Sequence, residues 1–257
     1  MNYQILPKKR YFILKGGAGS GHFAHAGRPG EVGGSDGGGD SRREGGRTGL
    51  YTDLREARND LIDNGISNVK YQDGTGQLLS EEQSLMYANA IGSESNYIRN
   101  NFDGAKSYMA KSSIQNIIVD SSGSVINPVS NTRIGQGGWY INQRMAVSGA
   151  FPRGGESLTT GKFLSTNGGF NHNFRHELGH HIQERMGPAE RGEWVSLLNS
   201  KGTGWAAANI SLYGAMNSAE SFSEAFAAFT SRSYGTGGNK LSKEVDSYMR
   251  KYIGKGK

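Results

Sequence analysis

Residues 176–180 constrain this chain more than any other stretch, because they read His-Glu-Leu-Gly-His. Residues four apart in a helix lie on one face, so a helix here would point His176 and His180 at one metal ion. Glu177 is turned by about 100° around the helix, from where its carboxylate can reach a metal-bound water without being a ligand. A catalytic zinc needs three protein ligands and an open position, so the motif requires a third ligand from elsewhere.

The residues around the motif favour a buried helix. Its apolar side chains recur every four positions, at Phe174, Leu178 and Ile182. Asn171 or Asn173 can cap the start, and Gly187 followed by Pro188 predicts the end. Gly179 leaves room for another element to approach closely. An ordinary amphipathic helix with two surface histidines is the alternative, and this context favours the zinc-binding interpretation.

Composition limits the ligands and the compartment. The chain has no cysteine, which excludes disulfides and cysteine-ligated zinc and leaves His, Asp and Glu. No stretch has the apolar length needed to cross a membrane. The apolar run Tyr11–Leu14, which follows Lys8–Arg10, is too short for a signal peptide. We therefore expect a cytoplasmic protein, or one carried by another route, with no membrane partner.

Residues 1–49 are glycine-rich and carry eight Lys and Arg against four acidic residues, a net charge of +4. Such a composition buries too little apolar surface to offset its chain entropy, and predicts a flexible basic arm. A basic arm can contact nucleic-acid phosphates without base specificity. Residues 19–30, Gly-Ser-Gly-His-Phe-Ala-His-Ala-Gly-Arg-Pro-Gly, resemble a segment of tailed-phage head and virion proteins. That resemblance implies a phage or prophage setting, with capsid or DNA contact through the arm.

Residues 50–105 predict a helical supporting lobe without catalytic residues. A helix capped by Thr52 runs to about Asp63, and a short strand covers residues 66–71. Ser80 with Gln83 forms a capping-box pattern that opens a second helix. The polar stretch 92–106 predicts the end of that helix and a loop.

The remainder, residues 106–257, predicts strands and further helices. Strands are expected at Ile114–Asp120, Trp139–Val147 and Gly161–Thr166, the last being the candidate edge strand beside the metal. Asn217 caps a later helix with Glu220 at its third position. The buried face of that helix is expected to hold Phe222, Ala225, Phe226 and Phe229. Glu220 and Glu224 share the other side, which in most helices is simply solvated.

Several residues compete for the place of the third ligand. A metzincin has a histidine six residues after the motif, where this chain has Met186, and a thermolysin-type acid is expected near Ser200. Glu193 lies on a short intervening helix without helpful context. His172, four residues before His176, is better suited to a surface role or to supporting a ligand.

The motif at 176–180, together with Tyr213-Gly-Ala-Met-Asn-Ser-Ala-Glu220-Ser-Phe-Ser-Glu224-Ala-Phe, resembles the gluzincin domain of anthrax lethal factor and its relatives. In that family a tyrosine follows the motif, and the ligand glutamate comes seven residues later within an E-F-F-A-E-A-F-like run. The resemblance covers about residues 106–257. Ser221 and Ser223 depart from the Phe and Ala that are usual there, which affects packing but removes no ligand.

Carried over residue by residue, the resemblance implies a complete catalytic site. His176, His180 and Glu220 would bind one zinc ion, and Glu177 would be the general base. Tyr213 would stabilise the tetrahedral intermediate, and Glu224 would accept the spare N–H of a ligand histidine.

The sequence therefore predicts an α+β, zincin-like domain at 106–257 behind a helical lobe at 50–105 and an arm at 1–49. The predicted function is zinc-dependent hydrolysis of a peptide or protein by a zinc-bound water, in a cytoplasmic or virion-associated protein. One alternative is a virion or nucleic-acid-contacting structural protein with a structural or vestigial zinc site. Another is a zinc hydrolase that acts on a non-peptide amide such as peptidoglycan.

Overall fold

The structure is a computed structural model that describes residues 51–122, 124–126, 132–134, 138–149, 169–202, 204–236 and 240–254. These residues belong to one compact unit, Glu44–Lys257. They form a mixed α+β fold with a small sheet and helices, as predicted for the fold class. The predicted arm at 1–49 and the predicted edge strand at Gly161–Thr166 lie outside the described residues.

The sheet combines parallel and antiparallel strands. Its strands are β1 (Val69–Gln72), β2 (Asn116–Asp120), β5 (Gly138–Ile141) and β6 (Arg144–Ser148). They lie in the order β1-β2-β6-β5, and β1, β2 and β6 are parallel while β5 runs antiparallel to β6. A separate pair joins β3 (Val125–Ile126) to β4 (Arg133–Ile134). Because β1 pairs with β2, residues 50–105 contribute a strand to the same sheet as the motif-bearing part of the chain.

The described helices cover the sheet and one another. They are α1 (Leu54–Asp63), α2 (Glu81–Asn101), α3 (Asp103–Ala110), α4 (Phe170–Arg185), α5 (Pro188–Asn199), α6 (Trp205–Asn209), α7 (Ser218–Phe229) and α8 (Lys243–Tyr252). None of these helices is both long and apolar enough to span a membrane. The predicted buried stripe on α4 is confirmed, because Phe174, Leu178 and Ile182 are all fully buried. The predicted face of α7 is confirmed in the same way.

Three predicted elements differ in the structure. Residues 92–106 are helical, because α2 continues through Asn101 and α3 follows almost at once. Ile98 and Ala105 are fully buried there, so tertiary packing outweighs the polar composition. The predicted strand Trp139–Val147 is a hairpin of β5 and β6, turned at Asn142 and Gln143, whose φ angles are 46° and 68°. The predicted loop from Gly202 to Tyr213 contains the short helix α6.

The predicted helix caps are found on α2 and α7, whereas the caps of α1 and α4 differ from the prediction. Ser80 and Gln83 form the predicted capping box, and Asn217 accepts hydrogen bonds from two backbone N–H groups of α7. Asp53, not Thr52, caps α1. α4 begins earlier than expected, after Gly169, and the Asn173 side chain instead donates to the carbonyl of Ser148.

Helices α4 and α7 pack closely at Gly179, where the glycine was expected to let another element approach. A Cβ on Gly179 would lie 2.9 Å from the Cα of Ser223 and 3.3 Å from Cδ1 of Phe226. The small Ser223 on α7 therefore faces the glycine on α4. This contact sets the separation of the two helices that carry the motif and the second acidic run.

We expect Gly179→Ala to destabilise the protein by about 1–3 kcal/mol, because it overpacks a contact that includes backbone. The same change should weaken metal binding, since it moves α4 away from α7. Chemical denaturation and metal titration measure the two effects. Gly192→Ala is the matched control on α5, where no described atom lies within 4 Å of the added Cβ. Equal stability of Gly179→Ala and Gly192→Ala would contradict the expectation.

Candidate metal centre

Two helices bring the predicted ligands together. α4 carries His176 and His180 one turn apart, and their rings lie 4.9 Å apart between centroids. α7 carries Glu220, whose Oε2 lies 3.0 Å from Nε2 of His176 and 3.3 Å from Nε2 of His180. The donor atoms of the three residues all lie within 4.8 Å of one another. One carboxylate oxygen and two imidazole nitrogens therefore converge on one point.

This donor set fits zinc. Zinc binds imidazole nitrogen and carboxylate oxygen, and a site with three protein ligands leaves one position open. Glu220 is also held in its charged form. Burial opposes ionisation, but hydrogen bonds to His176 and His180 outweigh it and lower the Glu220 pKa to about 2. The carboxylate is thus available as a ligand over the whole physiological pH range.

Glu224 holds His176 from the other side of its ring. Oε1 of Glu224 lies 2.7 Å from Nδ1 of His176, and both residues are buried. A hydrogen bond at Nδ1 leaves Nε2 as the free nitrogen, which is the atom that faces Glu220. In the metal-free protein, burial opposes protonation of His176, but the hydrogen bonds to Glu220 and Glu224 raise its pKa well above the usual value.

His172 joins the same chain of contacts. Its Nε2 lies 3.3 Å from Oε1 of Glu224, and its buried Nδ1 has no partner within the described part of the chain. His172, His176 and Glu224 make a second group with metal-ligand spacing. That group lacks His180, and within it Nδ1 of His176 already forms a hydrogen bond with Glu224. The first group therefore suits the motif better, and His172 lies where it supports Glu224.

Glu177 is buried on the side of α4 that faces the sheet. Burial is the main cause that raises its pKa to about 7, with His176 and His180 opposing the shift. Its Oε2 is buried and has no hydrogen-bond partner among the described residues. A carboxyl with a pKa near neutrality can take up and release a proton at physiological pH.

Tyr213 lies beside the predicted ligands in the turn between α6 and α7. Its ring centroid is 5.6 Å from that of His176. Burial, followed by the negative charges of Glu220, Glu177 and Glu224, raises the Tyr213 pKa. The phenol therefore stays protonated and can donate a hydrogen bond. Thus the structure brings together the six residues to which the resemblance assigned a role, across two helices and one turn.

Strand β5 adds two residues that the sequence did not single out. Gly138 lies against the carboxyl group of Glu177, and the Tyr140 ring stacks on the His180 ring at 6.3 Å between centroids. Residues two apart in a strand share a face, so β5 presents both to α4. The only sequence signal for these two residues is the alternation of side chains along the strand. It becomes informative only when the direction of the strand and the helix that packs against it are known.

Comparison of the sequence with protein-family models gave no match, and comparison with curated proteins gave none either.

Proposed function

We propose that this chain is a zinc metallopeptidase of the gluzincin type that hydrolyses a peptide or protein substrate. The observation that carries the proposal is the convergence of His176, His180 and Glu220 beside the buried carboxyl of Glu177, whose Oε2 has no hydrogen-bond partner among the described residues. A structural zinc site has no need of such an acid, whereas hydrolysis does. The pairing of the motif with the run Tyr213–Phe226 supports the family assignment within the proposal.

The residues of the chain divide the chemistry among themselves. Zinc, when bound, would polarise the scissile carbonyl and make water more acidic. Glu177 takes the proton from the attacking water and delivers it to the leaving amine, for which its raised pKa is suited. Tyr213 donates a hydrogen bond to the carbonyl oxygen as negative charge develops there. Glu224 fixes the tautomer of His176 through Nδ1.

The position of β5 supports a peptide substrate. Among the described strands β5 lies at the edge of the sheet, next to β6, and it packs against α4. An extended peptide can pair with an edge strand through its backbone, which would bring it alongside the ligands. The sequence predicted this role for Gly161–Thr166, and β5 is the strand in that position within the described part of the chain.

We expect about one zinc per chain in the purified wild-type protein, measured by elemental analysis. Glu220→Ala removes a ligand and should abolish retention of the metal. Glu224→Ala removes the contacts to His176 and His172 but none of the three proposed ligands, so we expect a loss of about 10–100-fold in zinc affinity. Glu193→Ala is the control, because its exposed carboxylate pairs with Lys251 and should leave zinc unchanged. A wild-type protein that takes up no added zinc would overturn the metal site.

The substrate class is tested with the same protein. A mixture of unstructured peptides and a preparation of cell-wall fragments are incubated separately with the zinc-loaded enzyme, and the products are identified by mass spectrometry. Peptide cleavage that stops with a chelator and returns with zinc supports the proposal. Release of cell-wall fragments, with no cleavage of the peptides, would contradict a peptide substrate and show that the enzyme hydrolyses a cell-wall amide.

A further inference from the structure

We propose that Gly138 is a positioning residue, whose missing side chain determines where the carboxyl group of Glu177 lies. A Cβ on Gly138 would come within 2.2 Å of Oε1, 2.6 Å of Cδ and 2.6 Å of Cγ of Glu177. Three atoms of one side chain meet the strand, so a small rotation of the carboxylate alone would not relieve the contact. The base of the proposed reaction therefore rests directly on the backbone of β5.

The backbone at this position does not itself require glycine. The described glycines with positive φ are at other positions, and Gly138 lies in regular strand pairing with Val147. An alanine here would adopt the same backbone conformation without strain. The close approach of Glu177 is thus the reason for a glycine at residue 138.

Strand β5 is held in place by Tyr140, two residues further along on the same face. The Tyr140 hydroxyl donates to Oε2 of Glu184 at 2.8 Å and accepts from Nη1 of Arg185 at 2.9 Å. The backbone N–H of Gln143 also donates to this hydroxyl, at 3.0 Å. The bonds with Glu184 and Arg185 tie the strand to the last turn of α4, and the bond from Gln143 ties it to the turn before β6. Pairing with the buried Met145 and Val147 of β6 holds its other side.

The backbones of β5 and α4 therefore cannot easily move apart. β5 is tied to α4 and β6, and α4 meets the backbone of α7 at Gly179. A methyl group at residue 138 would be relieved chiefly by rotation of the Glu177 side chain. Rotation moves the base from the ligands, and displacement of a reacting group by about 1 Å can cost about 100-fold in rate.

The first test is a stability cycle that needs no activity. We expect Gly138→Ala to lower the melting temperature of the metal-free protein by about 2–4 °C or more. In a Glu177→Ala background the same change should have no effect, because the atoms that the methyl group meets are gone. An equal loss in both backgrounds, or none in either, would overturn the inference. If Gly138→Ala does not fold alone, recovery of folding in Gly138→Ala/Glu177→Ala gives the same answer.

The second test is kinetic, and it alone rests on the proposed function. Gly138→Ala should keep its zinc and its KM while kcat falls by about 100-fold. In a Glu177→Gln background it should cause no further loss, since a residue that acts through the base has no effect once the base is removed. Gly192→Ala, on the exposed surface of α5, is the control and should match wild type. A raised KM with unchanged kcat would show that Gly138 makes room for substrate, which contradicts the positioning role. Inactivity of the wild-type enzyme would refute the proposed function and leave the stability cycle unaffected.

Discussion

Glu177→Gln is expected to retain zinc and to lose about 10²–10⁴-fold in the rate of peptide hydrolysis. Glutamine has nearly the same shape as glutamate, so it fits beside Gly138, but it cannot accept the proton of the attacking water. The proposed ligands His176, His180 and Glu220 are unchanged, which separates the loss of rate from the loss of metal. Zinc content and kcat, measured on the same preparation, check both halves of the expectation.

Stability and a matched carboxylate serve as controls for this variant. Burial raises the Glu177 pKa to about 7, so the ionised wild-type group is disfavoured in the metal-free fold and glutamine should not destabilise it. Glu193→Gln, at an exposed carboxylate on α5, should keep both zinc and activity. If Glu177→Gln hydrolysed peptide at the wild-type rate, Glu177 would not be the base and the proposed mechanism would fail.

Loss of the buried Arg175–Glu94 pair is expected to have the largest effect on stability. Nη1 of Arg175 lies 2.7 Å from Oε2 of Glu94, and both side chains are less than a tenth exposed. The Nε–H of Arg175 also donates to the carbonyl of Ala227 at 3.1 Å. The pair thus joins α2, α4 and α7. We expect Glu94→Ala to cost about 3–5 kcal/mol, because it leaves a guanidinium buried without its partner.

A double substitution distinguishes the pair from its two members. Glu94→Leu with Arg175→Met replaces the ions by apolar side chains and should recover much of the stability that Glu94→Ala loses. Glu244→Ala breaks an exposed pair with Lys201 and should change the unfolding free energy very little. Urea denaturation measures all of these variants. A double variant that is no more stable than Glu94→Ala would show that the ions are not the source of the effect.

The pair also bears on the metal centre, because Arg175 directly precedes His176 and Ala227 lies on the helix of Glu220. Loosening the pair frees both of the helices that carry the proposed ligands. Glu94→Ala should therefore weaken zinc binding even though Glu94 contacts none of the proposed ligands. Isothermal titration of the metal-free protein with zinc, at a temperature where the variant is folded, measures this coupling.

Helix faces and helix caps could be predicted from the sequence because they depend on residues only a few positions apart. Helical periodicity alone puts His176 and His180 on one face and buries Phe174, Leu178 and Ile182. Short polar side chains cap neighbouring backbone N–H groups, so the capping roles of Ser80 and Asn217 could be predicted from the sequence. The local pattern also predicts a helix capped by Asn217 with Glu220 and Glu224 on one side, but two acids on a helix face are most often solvated, so the ligand role of Glu220 came from the resemblance.

Other features depended on distant partners, and local patterns misled there. The polar stretch 92–106 is helical because Ile98 and Ala105 meet a core formed by other segments. The alternation of Trp139–Val147 is that of a strand, but the left-handed turn at Asn142 and Gln143 divides it into a hairpin. The first outcome was set by what packs against the segment, which neighbours in the chain do not reveal, and the second by a turn that the alternation does not show.

The amino-acid sequence by itself determined that two imidazoles and a carboxylate share one helix, because a period of 3.6 residues per turn operates over five consecutive residues. Only the tertiary structure brought Glu220 within 3.3 Å of both histidines, set Glu224 on Nδ1 of His176, and laid Gly138 against Glu177. These contacts join residues about 40 positions apart in the chain. Their distances follow from how α4 packs against α7 and β5, and that packing is a property of the whole core.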